Sequence, residues 1–358
     1  MANRQELYRG CLLGMAVGDA LGYSIDDKSW EQICNDYGPN GLLGYDLQEE
    51  YANVTSYTQI AAYLSNALLL SVSRGSKGNR MEYIHLGLRE WTRSQMFYRD
   101  PEHSFCWIAK LPAFRRRHCR DARMLDTLRL QSMGAPKEPV NRYNHPGAIT
   151  EAVAIGLFYD PKRMSTEAIG QLAFQSMALT HGSPEACLSA VVLAYAIAGL
   201  VQAPEVPLKE QFAGAIAAMQ GQFPGEDGEK LGEFLRKSLK MAENDFIAPR
   251  LAIEQLGCYT VSECLAGAMY TSLVAEEEFD PAIIAAVNHS GHSAATGAIA
   301  GAILGAKMGE GMLPQFYLES LDVVDSLTVL ADDLLSATPA SGIFDDDWDQ
   351  KYVQGQPI

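Results

Sequence analysis

Arg9-Gly10-Cys11-Leu12-Leu13-Gly14-Met15-Ala16-Val17-Gly18-Asp19-Ala20-Leu21-Gly22 carries glycine at every fourth position among apolar residues. In a helix that spacing stacks the four glycines along one side. Each glycine costs about 1 kcal/mol against alanine, so the stripe makes sense where a second backbone must approach closely. The device recurs at Gly297, Gly301, Gly305 and Gly309. The two stretches predict a pair of helices tightly packed near the centre of the molecule. Such packing requires no chemistry of its own.

Further helices are read outward from this pair. Ser183-Pro184-Glu185 combines a hydroxyl cap, proline at the first helical position and a carboxylate near the positive helix end. It predicts a helix over Ala186 to Val201. Thr55 to Val72, Val261 to Val274 and Leu318 to Leu335 read as helices as well. Long alternating strand patterns are missing, so the fold class is all-α. Gly38–Leu47, Leu130–Pro146 and Phe223–Gly228 read as irregular. Lys110 to Arg129 is basic, with Arg115, Arg116, Arg117, Arg120 and Arg123. It reads as a solvated surface or as a contact for phosphate or an acidic partner. The tail, with Asp345, Asp346, Asp347 and Asp349, reads as acidic and mobile.

The 358 residues suggest about two domains by length alone. With 47% hydrophobic residues and 20% charged, the chain has ample material for a core. Its net charge of −16 repels phosphate backbones and speaks against nucleic-acid binding. No apolar run reaches the roughly twenty residues of a membrane span. The start of the chain lacks signal-peptide features. The seven cysteines show no Cys-x-x-Cys and suit a reducing compartment. These features predict a cytoplasmic protein without a membrane partner.

Three more segments follow Arg9–Gly22 in a telling order. The first is Val54-Thr55-Ser56-Tyr57-Thr58-Gln59. The second runs from Ile155-Gly156-Leu157-Phe158-Tyr159 to Thr180-His181-Gly182-Ser183-Pro184. The third is Val287-Asn288-His289-Ser290-Gly291-His292-Ser293-Ala294-Ala295-Thr296-Gly297-Ala298-Ile299-Ala300-Gly301. In order and spacing the set resembles the ADP-ribosylglycohydrolase family, and the last segment resembles its bacterial members. The resemblance spans about residues 7 to 336. It implies a single compact all-helical domain over residues 1–336, with the acidic C-terminal tail at 337–358.

The same resemblance implies chemistry, and the chain departs from it there. Family members cleave ADP-ribosyl bonds with two magnesium ions beside the scissile ribose. Two such dications need a cluster of carboxylates and hydroxyls. The family takes these from a T-D-D motif and a D-x-D-[ST] motif. Here Thr55 is kept, while Ser56 and Tyr57 replace the first two aspartates. His292 and Ala294 replace the second two, and Ala295 replaces the final hydroxyl. The resemblance therefore implies that the magnesium pair is lost and no metal or cofactor is expected. Asp26, Thr55, Ser56, Tyr57, His292, Ala294 and Ala295 become a vestigial site with no catalytic residue. Asp26 stands where many members have glutamate, Glu151 where bacterial members often have arginine, and Ser183 where they have a second histidine. Asp19, His181, Asn288, His289, Ser290, Gly291 and Ser293 are the candidate ligand contacts.

A replacement site is conceivable from the residues themselves. Tyr57, His289, His292, Asp26 and Asp19 would lie near one another in the family geometry. A His–carboxylate pair there could act as acid and base. His289 and His292 could share a zinc ion, though a third ligand is not evident. The alternative is a filled, hydrogen-bonded pocket. Neither a G-x-S-x-G elbow nor a phosphate-binding glycine loop is present. Three functions follow. The first is a pseudoenzyme that binds a protein partner, either an ADP-ribosyltransferase or an ADP-ribosylated target, without hydrolysis. The second is a sensor of ADP-ribose or a related nucleotide. The third is an active ADP-ribosyl hydrolase with an altered, metal-free or differently metallated site.

Overall fold

The computed structural model describes residues 2–47, 50–73, 80–96, 101–130, 133–162, 164–244, 247–336 and 346–357. Seventeen α-helices follow one another along them. They are α1 Arg4–Tyr23, α2 Trp30–Tyr37, α3 Ser56–Ser73, α4 Arg80–Ser94, α5 Ala122–Arg129, α6 Glu151–Phe158, α7 Thr166–Ala178, α8 Pro184–Gln202 and α9 Leu208–Gln222. Then come α10 Glu226–Met241, α11 Pro249–Leu256, α12 Val261–Val274, α13 Phe279–Val287, α14 Ser293–Met308, α15 Gln315–Glu319, α16 Val324–Ser336 and α17 Asp346–Tyr352. Among the described residues there is no strand, only an isolated bridge between Ala135 and Glu138. The fold is all-α, as the patterning predicts.

The glycine stripes are the seam between α1 and α14. A Cβ placed on Gly301 would lie 1.9 Å from the Gly14 carbonyl oxygen, and one on Gly14 would lie 2.3 Å from the Gly301 oxygen. Gly18 faces Gly297 and Gly10 faces Gly305 at similarly forbidden distances, so the helices run antiparallel with backbones in contact. Gly22 meets the first turn of α14 at Ala294. That crossing carries the end of α1 and the start of α14 to one place, and the candidate site is built there.

The other helices wrap this pair in one continuous apolar core from Leu7 to Tyr352. α8 starts as expected: the Ser183 hydroxyl accepts from the Ala186 amide at 3.0 Å and Pro184 opens the helix. By length and composition α8 could cross a membrane, but 83% of its apolar window is buried inside the protein. All seven cysteines are free, and five of them are buried.

Three expectations are corrected. Leu318–Leu335 is two helices rather than one. The Ser320 carbonyl turns away to accept the Ala52 amide, and Asp322 turns to meet Arg116, which ends α15 and delays α16. Phe223–Gly228 is irregular only as far as Gly225, whose φ of +144° starts α10 at Glu226. Glu226, Asp227 and Glu229 then lie in the first turn, where the helix dipole favours acids. In the tail, Asp345 lies outside the described residues, but Asp346 to Tyr352 form α17 rather than a mobile segment. Its Trp348 and Tyr352, four residues apart, are buried, and Tyr352 and Lys351 both reach Asp333.

Candidate functional site

The site begins with helix ends that other segments cap. Asp19 leaves α1 toward the start of α3 and takes four hydrogen bonds there. Its oxygens accept from the Thr55 amide (2.9 Å) and hydroxyl (2.6 Å) and from the Thr58 amide (3.0 Å) and hydroxyl (2.6 Å). These satisfy amides that a helix start would otherwise leave unpaired. Burial pushes the Asp19 carboxyl up, and the Thr55 and Thr58 bonds hold it back. Oδ2 takes three of these bonds and Oδ1 one, and the wholly buried Asp19 is committed to the start of α3 through Thr55 and Thr58. They hold the first motif in place.

Asp26 does the same for α14. The chain turns after α1, with Asp27 at φ +64°, a conformation that aspartate tolerates better than most residues. The Asp27 amide donates to the Gly291 carbonyl at 3.0 Å, which ties this turn to the loop before α14. Asp26 Oδ1 then accepts from the Ala294 amide at 2.9 Å, in a first turn whose own N-cap residue, His292, makes no capping bond. Asp26 Oδ2 accepts from Arg120 Nε at 2.7 Å, and Arg120 Nη2 reaches Asp27 at 3.3 Å. The Arg120 amide in turn donates to the Ser56 hydroxyl at 3.1 Å. The Asp26–Arg120 pair therefore bridges the two motifs, with Ser56 on one side and Ala294 on the other.

The surroundings are a mixture of charge and unpaired polarity. Burial pushes the Asp26 carboxyl up to about 6, against the lowering pull of Arg120. Tyr57 is wholly buried, and its hydroxyl has no partner among the described residues; burial and the nearby Asp26 charge push its pKa well up. His292 Nδ1 lies 2.9 Å from Asp27 Oδ1. Burial disfavours the His292 cation, but the Asp27 bond and the Asp26 charge outweigh it and raise the pKa. The His292 bond holds Asp27 below the usual carboxylate range. The His145 ring meets His292 edge-on at 4.4 Å between centroids. By distance Asp26, Asp27 and His292 could hold one ion, but Arg120 already contacts both carboxylates.

A cavity of 490 Å³ opens beside this pair. Asp26, Arg120, Lys28, His118 and Asp46 supply its polar wall, and Tyr23, Tyr37, Tyr45 and Tyr51 its aromatic one. Tyr23 stacks on His118 at 5.0 Å. The volume falls within the range of small-molecule sites.

The structure gathers Asp26, Ser56, Tyr57, His292 and Ala294 at this place, with buried Ala295 one position further along α14. It sends other candidates elsewhere. Asn288 clamps the Leu42 backbone from both sides at 2.8 Å. Ser290 accepts from the Trp30 amide and donates to Glu254. His289 is buried with Nδ1 near the Ser290 carbonyl and Nε2 unpaired among the described residues. It does not join His292 in a metal-ligating group there. Gly291 has φ +127°, and a Cβ there would meet the Cys258 carbonyl at 2.6 Å. Ser293 is buried against the His289 carbonyl. His181 belongs to a neighbouring cluster with Asp121 and His145.

Four residues stand outside the motifs: Arg120 and Asp27 in the site, and Asp121 and His145 in the neighbouring cluster. Arg120 sits in the stretch read as a basic surface, but much of that stretch is paired inside the chain. Arg116 forks onto Asp322 at 3.0 and 2.6 Å, and Arg123 lies over the Tyr143 ring. Adjacent opposite charges at Arg120-Asp121, and adjacent acids at Asp26-Asp27, were the available signals. Glu151 is buried against Ser176, and burial pushes its carboxyl up to about 8.

The comparisons agree with this architecture. A solved structure titled "ADP-ribosylglycohydrolase-related protein complex" superposes with a TM-score of 0.62 over 94% of this chain and 100% of that one, at 20% identity. That likeness establishes the fold. No curated protein sequence matches the chain. The family model described as ADP-ribosylglycohydrolase matches residues 1–342, nearly the whole length, and the chain belongs to the ADP-ribosylglycohydrolase family.

Proposed function

We propose that this family member binds an ADP-ribosyl group, carried on a protein target, without hydrolysing it. The observation that carries the reading is the buried Asp26–Arg120 pair between the two degenerate motifs. A magnesium pair brings four positive charges and needs a carboxylate cluster to offset them. Here the remaining carboxylates, Asp26 and Asp27, are engaged by the guanidinium and by His292. Ser56, Tyr57, Ala294 and Ala295 are neutral, so the residues present do not fit that pair. In this reading a fixed internal cation takes over the charge balance, and no hydrolytic step is derived through a metal.

The cavity beside the pair supports retained binding. Tyr23, Tyr37, Tyr45 and Tyr51 give it aromatic surface for a purine, and Lys28, which can exchange its partner Asp36 for a phosphate, gives it charge for a diphosphate. An ADP-ribosyltransferase is the other partner to test. Calorimetry should show saturable binding of ADP-ribose and of an ADP-ribosylated peptide, with the unmodified peptide silent. Chromatography should find no free ADP-ribose released from the peptide. Binding of neither ligand would overturn the reading. The 2.9 Å Asp27–His292 contact beside Asp26 favours a second reading, metal-free general acid–base hydrolysis. Release of free ADP-ribose that stops in His292→Ala would select it.

A further inference from the structure

We infer that Asp121, His145 and His181 form a binding site for a borderline-soft divalent transition metal, with Zn²⁺ as its reference ion. The inference does not rest on the ADP-ribosyl reading. The three ligand atoms lie within 4.8 Å of one another. Asp121 Oδ2 is 2.8 Å from His181 Nε2 and 3.5 Å from His145 Nδ1. Zinc bonds of about 2.0–2.1 Å in a tetrahedron put neighbouring ligand atoms about 3.3 Å apart, between those two values. Two imidazoles and one carboxylate, with a position left open, suit zinc and its neighbours in the first transition row, while magnesium prefers oxygen alone.

The surroundings are arranged for ligation. Asp121 Oδ1 is engaged by the Arg123 and Met124 amides at the start of α5, which leaves Oδ2 facing the histidines. His181 is wholly buried, and its Nδ1 lies 2.9 Å from the Thr180 hydroxyl. Without an ion, His181 Nε2 donates to Asp121 Oδ2; ligation releases one imidazole proton, Nδ1 keeps the other and donates it to Thr180, and Nε2 gives its lone pair to the ion, an outer bond of the kind that orients ligating histidines. The third observation is a space. A Cβ on Gly147 would lie 2.9 Å from Asp121 Oδ2 and 3.2 Å from His145 Nδ1, so only glycine keeps this corner open. His145 Nδ1 accepts the Gly147 amide at 3.0 Å, a bond given up when the metal takes that lone pair. His145 is partly exposed and provides the way in. An ion here ties together the segments before α5, before α6 and between α7 and α8, where the three ligands sit.

The test is titration of the EDTA-treated, dialysed full-length chain with Zn²⁺ by calorimetry and with Co²⁺ by visible absorption. One equivalent should bind, with the intense bands of tetrahedral cobalt and a rise in melting temperature that EDTA reverses. Thr180→Val should weaken binding by about ten- to a hundredfold. His145→Ala, His181→Ala and Gly147→Ala should weaken it further. His145 is partly exposed, so its variant keeps the test valid if His181→Ala fails to fold. Absence of saturable binding by the wild type overturns the inference. So does unchanged binding in His145→Ala, or binding abolished by His292→Ala alone, which would place the ion at Asp26, Asp27 and His292.

Discussion

Gly301→Ala and Gly214→Ala are the same chemical change in two helices, and they should move stability in opposite directions. Gly214 lies mid-helix in α9 with nothing within 4 Å of a new Cβ. The helix-propensity gain should appear there unopposed, at up to about 1 kcal/mol of stabilisation. At Gly301 the new Cβ falls 1.9 Å from the Gly14 carbonyl oxygen. To reach even 3.0 Å, α1 and α14 must part by roughly 1.1 Å, because the obstacle is backbone. A gap of 0.5–1 Å already forfeits about a quarter to a half of each dispersion contact across it. The seam has at least three such layers, so the loss should lie at the upper end of the roughly 1–3 kcal/mol typical of overpacking, or above it. Urea denaturation followed by circular dichroism gives the comparison directly, provided the slope of stability against urea is unchanged. If Gly301→Ala is as stable as the wild type, the close approach of the two glycine stripes is not the organising contact claimed here.

Three further outcomes follow from the buried charges. Arg120→Ala leaves Asp26 buried without its cation and should cost about 3–5 kcal/mol, with part recovered in the Arg120→Ala, Asp26→Ala double variant, by the same urea assay. Glu151 has its folded pKa raised to about 8 from 4.5, so between those values the folded state keeps a proton that the unfolded state has released. Its contribution to stability should therefore fall as pH rises through that window, and Glu151→Gln should show a visibly flatter profile between pH 5 and 8 on the order of a few kcal/mol. A chain carrying Ser56→Asp, Tyr57→Asp, His292→Asp, Ala294→Asp and Ala295→Ser together with Arg120→Ala should be less stable than wild type without magnesium and be rescued by it; the same five changes with Arg120 retained should respond less, because the guanidinium competes for the new carboxylates.

Much of the frame is legible because its signals are local. The four-residue glycine spacing, the Ser183-Pro184 start and the apolar period of α3 and α12 each depend on neighbours within a few turns. The motifs around Ser56, Tyr57, His292 and Ala294 are legible too, since each is a short contiguous run. The contacts those residues make are less so. Arg120 reaches Asp26, 94 positions away, and Asp121 reaches His181, 60 positions away. In sequence both sit in a run of arginines that reads as a surface. Asp19, a ligand candidate by motif, accepts bonds from Thr55 and Thr58 at the start of α3, 36 and 39 positions away, and no local pattern announces them. In α17 the acids hide Trp348 and Tyr352, two aromatic residues one turn apart, and these decide its burial. The break between α15 and α16 is set by Ala52 and Arg116, far away in sequence.

The central claim is that an arginine–aspartate pair has replaced a magnesium pair at the junction of α1, α3 and α14. Its most direct test is calorimetric titration of the metal-free wild-type chain with Mg²⁺ near neutral pH, with melting temperature read in parallel. An ion at a hundredfold excess over its Kd stabilises a folded protein by about 2.7 kcal/mol, which either method detects. No saturable heat and no shift are expected up to millimolar Mg²⁺. Saturable binding with a melting rise that EDTA reverses and Asp26→Asn removes would contradict it.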